Sequence, residues 1–232
     1  MRSLVTGGAG FIGSHTVDAL LQAGCAVTVL DNLSSGRRDN LPGHHALQFV
    51  NADIRDAAAV AAAVQGMDAV LHLAAQVSVQ TSIEQPVESS DINVRGFLNV
   101  LDASRNAGVK RFVYASSAAV YGIPAQLPLN EQAHTAPLSP YGLEKLINDQ
   151  YAALYRELYA TSALGMRYFN VYGPRQDPRS PYSGVISIFA DRVARGEPVT
   201  VFGDGTQVRD FVFVADVVRH LIAAMTRLHG LN

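Results

Sequence analysis

Residues 6–13 read TGGAGFIG and follow directly on the apolar pair Leu4-Val5. Gly7, Gly10 and Gly13 stand at G-x-x-G-x-x-G spacing, between a run that reads as a strand and a helical pattern predicted over 14–23. Three glycines at that point permit a tight turn, close approach of the main chain to a pyrophosphate, and close packing of helix on strand. The first amides of the helix are then aimed at the anion. A glycine motif adrift in a loop says little, but in a strand-turn-helix setting it implies a dinucleotide site.

The rest of the chain repeats the alternation that such a site needs. Short apolar runs at Val27-Thr28-Val29-Leu30, Gln48-Phe49-Val50, Ala69-Val70-Leu71-His72-Leu73, Phe112-Val113-Tyr114 and 162–167 read as strands, with helices predicted over 55–65, 90–107 and 140–160. The alternation predicts an α/β fold with a doubly wound parallel sheet, because parallel neighbours require right-handed helical crossovers. From Gly173 to Gly184 the composition turns to Gly, Pro, Ser and Arg. The reading therefore divides the chain into a dinucleotide-binding domain, 1–169, and a small substrate-binding region, 170–232, with 208–226 expected to return to the first domain.

Asp31 closes the second strand 18 residues past Gly13, near the spacing at which a carboxylate accepts the hydroxyls of the adenosine ribose. An acid there repels a 2′-phosphate, so NAD is expected rather than NADP, although Arg37 and Arg38 follow. Asp53 is read either as an acceptor for the adenine amino group, with Ile54 against the ring, or as a helix N-cap. His72, inside a strand, reads as a core histidine.

Composition narrows the partner. With 18 Lys+Arg against 20 Asp+Glu, the net charge of −2 gives no broad attraction to nucleic acid or to an anionic membrane. No apolar run reaches spanning length, and with the first strand beginning at once no cleavable leader is expected. Cys25 is the lone cysteine and His44-His45 lacks ligand spacing, so neither a disulfide nor a metal site is expected. These features predict a cytoplasmic protein with a small-molecule partner. Lys110 and Lys145 are the only lysines among 18 cations. A lysine kept against an arginine background suggests a compact charge whose pKa matters.

Lys145 lies four residues after Tyr141, in a helix that begins at Ser139-Pro140, an N-cap and a first-turn proline. One helical face carries both side chains. A phenol is a poor base at neutral pH, and an adjacent ammonium together with a cationic nicotinamide is expected to stabilise its ionised form. Residues 112–122, FVYASSAAVYG, place Ser116 and Ser117 at the end of a strand, where such sheets present groups to ligands.

With these motifs in place, the chain resembles the extended short-chain dehydrogenase/reductase family along essentially its whole length, through TGGAGFIG, HLAAQ, YASSAAVYG and YGLEK. RYFNVYGPRQ at 167–176 and GDGTQVRDFVFVAD at 203–216 resemble the nucleotide-sugar 4-epimerases in particular. The resemblance implies a Rossmann domain holding NAD through Gly7, Gly10, Phe11, Ile12, Gly13, Asp31, Asn32, Asp53, Ile54, Leu73, Ala74, Ala75 and Gln76, together with Tyr141 and Lys145. It implies Ser117, Tyr141 and Lys145 as the catalytic set. It implies a UDP-sugar substrate held by Ser78, Ser116, Ser117, Tyr168, Asn170 and Arg209, and a homodimer. It also implies a sugar-binding domain that continues past an equivalent of Asn232, so the 170–232 region is expected to be short for the family. Where 4,6-dehydratases carry Asp-Glu and uronate decarboxylases a Glu, this chain has Ala118 and Ala119; reductive epimerases need a further Cys and His, and Cys25 lies far upstream. Epimerisation of UDP-glucose and UDP-galactose is the leading expectation. An N-acetylhexosamine or uronate substrate, a dehydratase or decarboxylase, and a non-catalytic NAD-binding regulator are the alternatives.

Overall fold

A computed structural model describes residues 1–179 and 184–226, so the last six residues of the 170–232 region lie outside the described residues. Six strands, β1 (Arg2–Thr6), β2 (Ala26–Asp31), β3 (Leu47–Asn51), β4 (Ala69–His72), β5 (Arg111–Ser117) and β6 (Ala163–Tyr168), form one parallel sheet in the order β3-β2-β1-β4-β5-β6. Chain order reverses between β1 and β4, which opens a crevice at their carboxyl ends. Every side chain of β4, and every one of β1 after Arg2, is buried. Central parallel strands covered on both faces need this continuous apolar pattern.

The helices α1 (Phe11–Gln22), α2 (Ala57–Val64), α3 (Val79–Glu84), α4 (Pro86–Ser90), α5 (Phe97–Asn106), α6 (Pro140–Tyr159), α7 (Val185–Ala194) and α8 (Val214–Thr226) complete the chain, with a π-helical turn over Asp91–Gly96 leading into α5. One face of the sheet packs on α1 and α8 through Val17, Leu20, Val217, Leu221 and Met225. The other packs on α2, α5 and α6 through Val60, Phe97, Leu101 and Ala152. Residues 214–226 thus lie on the cofactor-binding half, while β7 (Asn170–Tyr172) and β8 (Phe211–Phe213) pair in parallel beside the sheet.

Strands and helices fall close to the predicted positions, and the doubly wound class holds. The N-cap of α2 is Asp56, whose Oδ1 accepts from the amides of Ala58 and Ala59 at 3.0 Å, so the capping role considered for Asp53 belongs three residues later. The helix predicted over 90–107 is built differently. The polar stretch before it forms two short helices, and its first turn is π-helical, a widening that recurs at functional sites. Within that turn Gly96 fits against Ile54, where a Cβ would lie 2.6 Å from Ile54 Cδ1.

Candidate active site

The turn after β1 is shaped for an anion. Gly7 has φ +69°, and a Cβ on it would meet the Ala74 amide nitrogen at 2.6 Å; one on Gly13 would collide with the Gly7 carbonyl. Gly10 caps α1 without offering a side-chain hydrogen bond, and no acid occupies the first turn. The amides of Phe11 and Ile12 are therefore left for an outside acceptor, as a pyrophosphate requires. Leu73 and Ala74 floor this turn, their amides donating to the Thr6 carbonyl (3.0 Å) and hydroxyl (3.3 Å).

Asp31 stands buried beside it. Its Oδ2 accepts from the Ala9 amide at 2.9 Å and its Oδ1 from the Leu33 amide at 2.8 Å, which fixes the carboxylate at the lip of the crevice with lone pairs to spare. Arg38 lies over the Phe49 ring, 5.1 Å from its centroid, a position that suits stacking. Asp53 and Asn32 are locked together: Asp53 accepts from Asn32 Nδ2 at 2.9 Å and from Arg55 Nε, Nη2 and amide at 2.8–3.0 Å. The Arg55 guanidinium holds the Asp53 carboxyl at about 2, and Arg55 in turn pairs with Glu88 at 2.6 Å. Ile54, expected against a purine ring, is instead buried beneath Gly96 in the core, because the π-helical turn needs a partner there.

The catalytic helix is fixed at its start. Ser139 accepts from the Gly142 amide at 3.1 Å, Pro140 occupies the first turn, and the Tyr141 amide donates to Ser82 Oγ at 3.1 Å. The Ser117 side chain lies close enough to the Tyr141 hydroxyl to favour its ionised form. Ser117 is held in turn by the Ala119 amide, which donates to its Oγ at 3.1 Å. Lys145 is buried, with Nζ donating to the Ala115 carbonyl at 3.1 Å and lying 5.8 Å from the Tyr141 ring centroid. Burial brings the Lys145 ammonium down to about 8, while the charges of Glu144 and Asp149 resist that fall. Desolvation pushes the Tyr141 phenol above its ordinary range, and the nearby Ser117 side chain acts against that rise.

Other candidates are placed differently. Strand alternation turns Ser116 away from the Ser117 face and onto that of Phe112 and Tyr114, where its Oγ is buried and finds no partner among the described residues. Ser78 caps α3, accepting from the Thr81 amide at 2.9 Å, while its own amide donates to Gln76 Oε1. Gln76 is occupied further, with Nε2 donating to the Ser78 carbonyl and Ser89 Oγ. Ala75 lies between the floor of the glycine turn and this knot. Tyr168 is partly buried, with its hydroxyl enclosed and unpartnered among the described residues. The β7–β8 pairing sets Asn170 beside the segment that carries Arg209: Asn170 donates from amide and side chain to the Asp210 carbonyl, and exposed Arg209 donates to the carbonyl of its neighbour Val208. His72 is a core histidine, its Nδ1 2.8 Å from Thr6 Oγ1 and its pKa brought to about 3 by burial.

The residues that sequence reasoning missed lie behind Tyr141 and Lys145. Glu144 Oε2 accepts from Asn93 Nδ2 at 2.7 Å and Ser89 Oγ at 2.9 Å, and Asn148 Nδ2 donates to the Asn93 carbonyl at 3.0 Å. An acid adjoining the lysine on a buried helical face was the one available signal.

With this geometry described, comparison with known proteins decides the family. The sequence profile of the NAD dependent epimerase/dehydratase family matches residues 3–231. The chain belongs to that family. Its cofactor is NAD, and it falls among enzymes of the class that the resemblance implied. A UDP-glucose 4-epimerase of Mycolicibacterium smegmatis is 43% identical over 231 residues, 97% of this chain and 73% of that protein. Among solved structures of the epimerase/dehydratase family, the UDP-N-acetylglucosamine 4-epimerase of Methanobrevibacter ruminantium superposes with a TM-score of 0.93 at 40% identity, over 96% of this chain and 72% of that one. The UDP-glucose 4-epimerase of Thermus thermophilus, solved with NAD, gives 0.89 at 43% identity, over 98% and 75%.

Proposed function

We propose that this protein is a 4-epimerase of a UDP-sugar, of the UDP-glucose and UDP-galactose type, acting through a 4-keto sugar. The observation that carries the reading is the grouping of the Ser117 and Tyr141 side chains with a buried Lys145, followed by Ala118 and Ala119 where dehydration or decarboxylation calls for acidic side chains. NAD held in this crevice would supply a hydride acceptor and donor for C4 of the sugar, and its positive charge would favour the ionised phenol. Tyr141 removes the proton from the sugar 4-hydroxyl and later restores it. Ser117 hydrogen-bonds the same oxygen, and Lys145, with donors left beyond Ala115, anchors the nicotinamide ribose. Phe11 and Ile12 amides receive the cofactor's pyrophosphate, and Asp31 its adenosine ribose. Asn170 and Arg209 hold the carrier diphosphate, for which a guanidinium offers two parallel donors.

An N-acetylated hexose is the second reading, supported by the likeness to an epimerase named for UDP-N-acetylglucosamine. A homodimer and a cytoplasmic location belong to the same proposal. Exposed Leu143, Tyr151, Leu154 and Leu158 give α6 an apolar outer stripe beside Val87, Val94 and Leu98, and Cys25 is an unpaired thiol; no helix among the described residues is long and apolar enough to cross a membrane.

Incubating the purified protein separately with UDP-glucose, UDP-galactose and their N-acetylated counterparts tests the assignment. Interconversion within one pair supports it and names the sugar. Tight NAD retention without turnover of either pair makes the protein a cofactor-binding regulator instead.

A further inference from the structure

Glu144 is 3% exposed, and one of its oxygens, Oε1, finds no donor among the described residues. Burying a carboxylate is costly unless it is hydrogen-bonded or meets an opposite charge. The hydrogen bonds come from Ser89 and Asn93. These two also grip Gln76: its Nε2 donates to Ser89 Oγ at 3.1 Å, its amide donates to Asn93 Oδ1 at 2.9 Å, and its carbonyl accepts from Asn93 Nδ2 at 2.9 Å. One carboxylate therefore ties α6 to the π-helical turn and to the loop that leaves β4 beside the glycine turn.

The opposite charge is the neighbouring ammonium of Lys145. The charged or titratable groups that bear on it are Glu144 and Asp149 from α6, Tyr141 one turn earlier, and His72 from β4. His72 is neutral. Asp149 is already matched by Arg167 at 3.0 Å, with Tyr114 donating to its other oxygen, so those groups of β5 and β6 spend their interaction on Asp149. Glu144, next to Lys145 in the chain and equally buried, is the nearer of the two carboxylates in sequence and is matched by no other cation among the described residues.

We propose that Glu144 is a positioning residue, which moors the catalytic helix to the loop after β4 and acts as the buried counter-charge of Lys145. The inference rests on the reading of Tyr141 and Lys145 as the proton-handling pair. Removing a negative charge makes both groups lose their protons more readily, so the direction of every effect is fixed. The Glu144→Gln side chain still offers an oxygen to Ser89 and Asn93 and takes away only the charge.

Because the chain has two lysines, ε-13C-lysine labelling of the full protein gives two signals to follow against pH. In Glu144→Gln the Lys145 midpoint falls by on the order of one pH unit, while in Ser89→Ala, which breaks a hydrogen bond and keeps the charge, it stays in place. Both limbs of the pH profile of turnover move to lower pH in Glu144→Gln. An unmoved Lys145 midpoint in the folded variant overturns the proposal. Should that variant fail to fold, a wild-type Lys145 that is neutral at pH 7 overturns it, and one that is charged there upholds it. The lysine signal needs no sugar, so a wild-type protein without epimerase activity defeats the functional assignment while leaving Glu144 tested.

Discussion

The Cβ that Gly13 lacks would lie 2.2 Å from the carbonyl oxygen of Gly7. Neither atom belongs to a flexible side chain, so a methyl group at position 13 forces the turn open and lifts α1 from the end of β1. Gly13→Ala is expected to weaken NAD binding at least about tenfold and to lower the thermal midpoint, as overpacking against backbone does. Gly43→Ala, where an added Cβ meets nothing within 4 Å, is the matched control. Fluorescence titration with NADH and a melting curve on both variants check the contrast.

Tyr141→Phe keeps the ring that fills the site and removes the group proposed to carry the proton. Turnover of the UDP-sugar is expected to fall by roughly 10²–10⁴-fold with NAD still bound. Ser117→Ala also frees the Ala119 amide from its partner, so a loss of stability should accompany its loss of rate. Rates and melting curves measured together separate the two roles, and a Tyr141→Phe enzyme of normal speed defeats the mechanism.

His72 gives the fold an acid limit. Its pKa is about 3 in the folded chain against a model-peptide value of 6.5, so between those values the unfolded chain binds a proton that the native one refuses. Stability therefore rises with pH across that window and is eroded as pH falls below 6.5, by about 2 kcal/mol at pH 5. Denaturant melts of wild type and His72→Leu from pH 4 to 8 should converge in slope only above 6.5, the variant being flatter below it.

The outer stripe of α6 is expected to meet its copy in a second molecule. Leu154 is 53% and Leu158 67% exposed in the single chain. Changing both to Arg introduces like charges that an apolar interface cannot hydrate. Sedimentation should show a wild-type dimer and a monomeric variant that still binds NAD; a wild-type monomer removes the proposal.

What was legible in the chain was what local spacing encodes. The glycine turn, the acid ending β2 and the Tyr141/Lys145 pair each depend on residues a helical turn or a strand apart, and the sheet followed from its apolar runs. The Glu144 knot joins residues 51 and 55 positions apart, and nothing in the spacing of Ser89 or Asn93 foretells a carboxylate arriving from another helix. The surroundings of Asp53 and Ile54 were hidden for a related reason. Their fates were set by Arg55 and Gly96, one a competitor for the carboxylate and the other a gap that only an apolar side chain could fill. The burial that raises the Tyr141 pKa was equally out of sight, because proximity to a cation is visible in a sequence and burial is not.

The parallel β7–β8 ribbon also sets how this molecule tolerates change. Asn170 begins two residues after β6 ends, and Val214 opens α8 with no residue between it and β8. Everything from 173 to 210 is thus a detour whose departure and return are both anchored in the main sheet's own packing. Lengthening or trimming such a detour costs little in chain entropy and leaves the register of the six strands alone, so this span can vary without disturbing the helix that carries Tyr141 and Lys145.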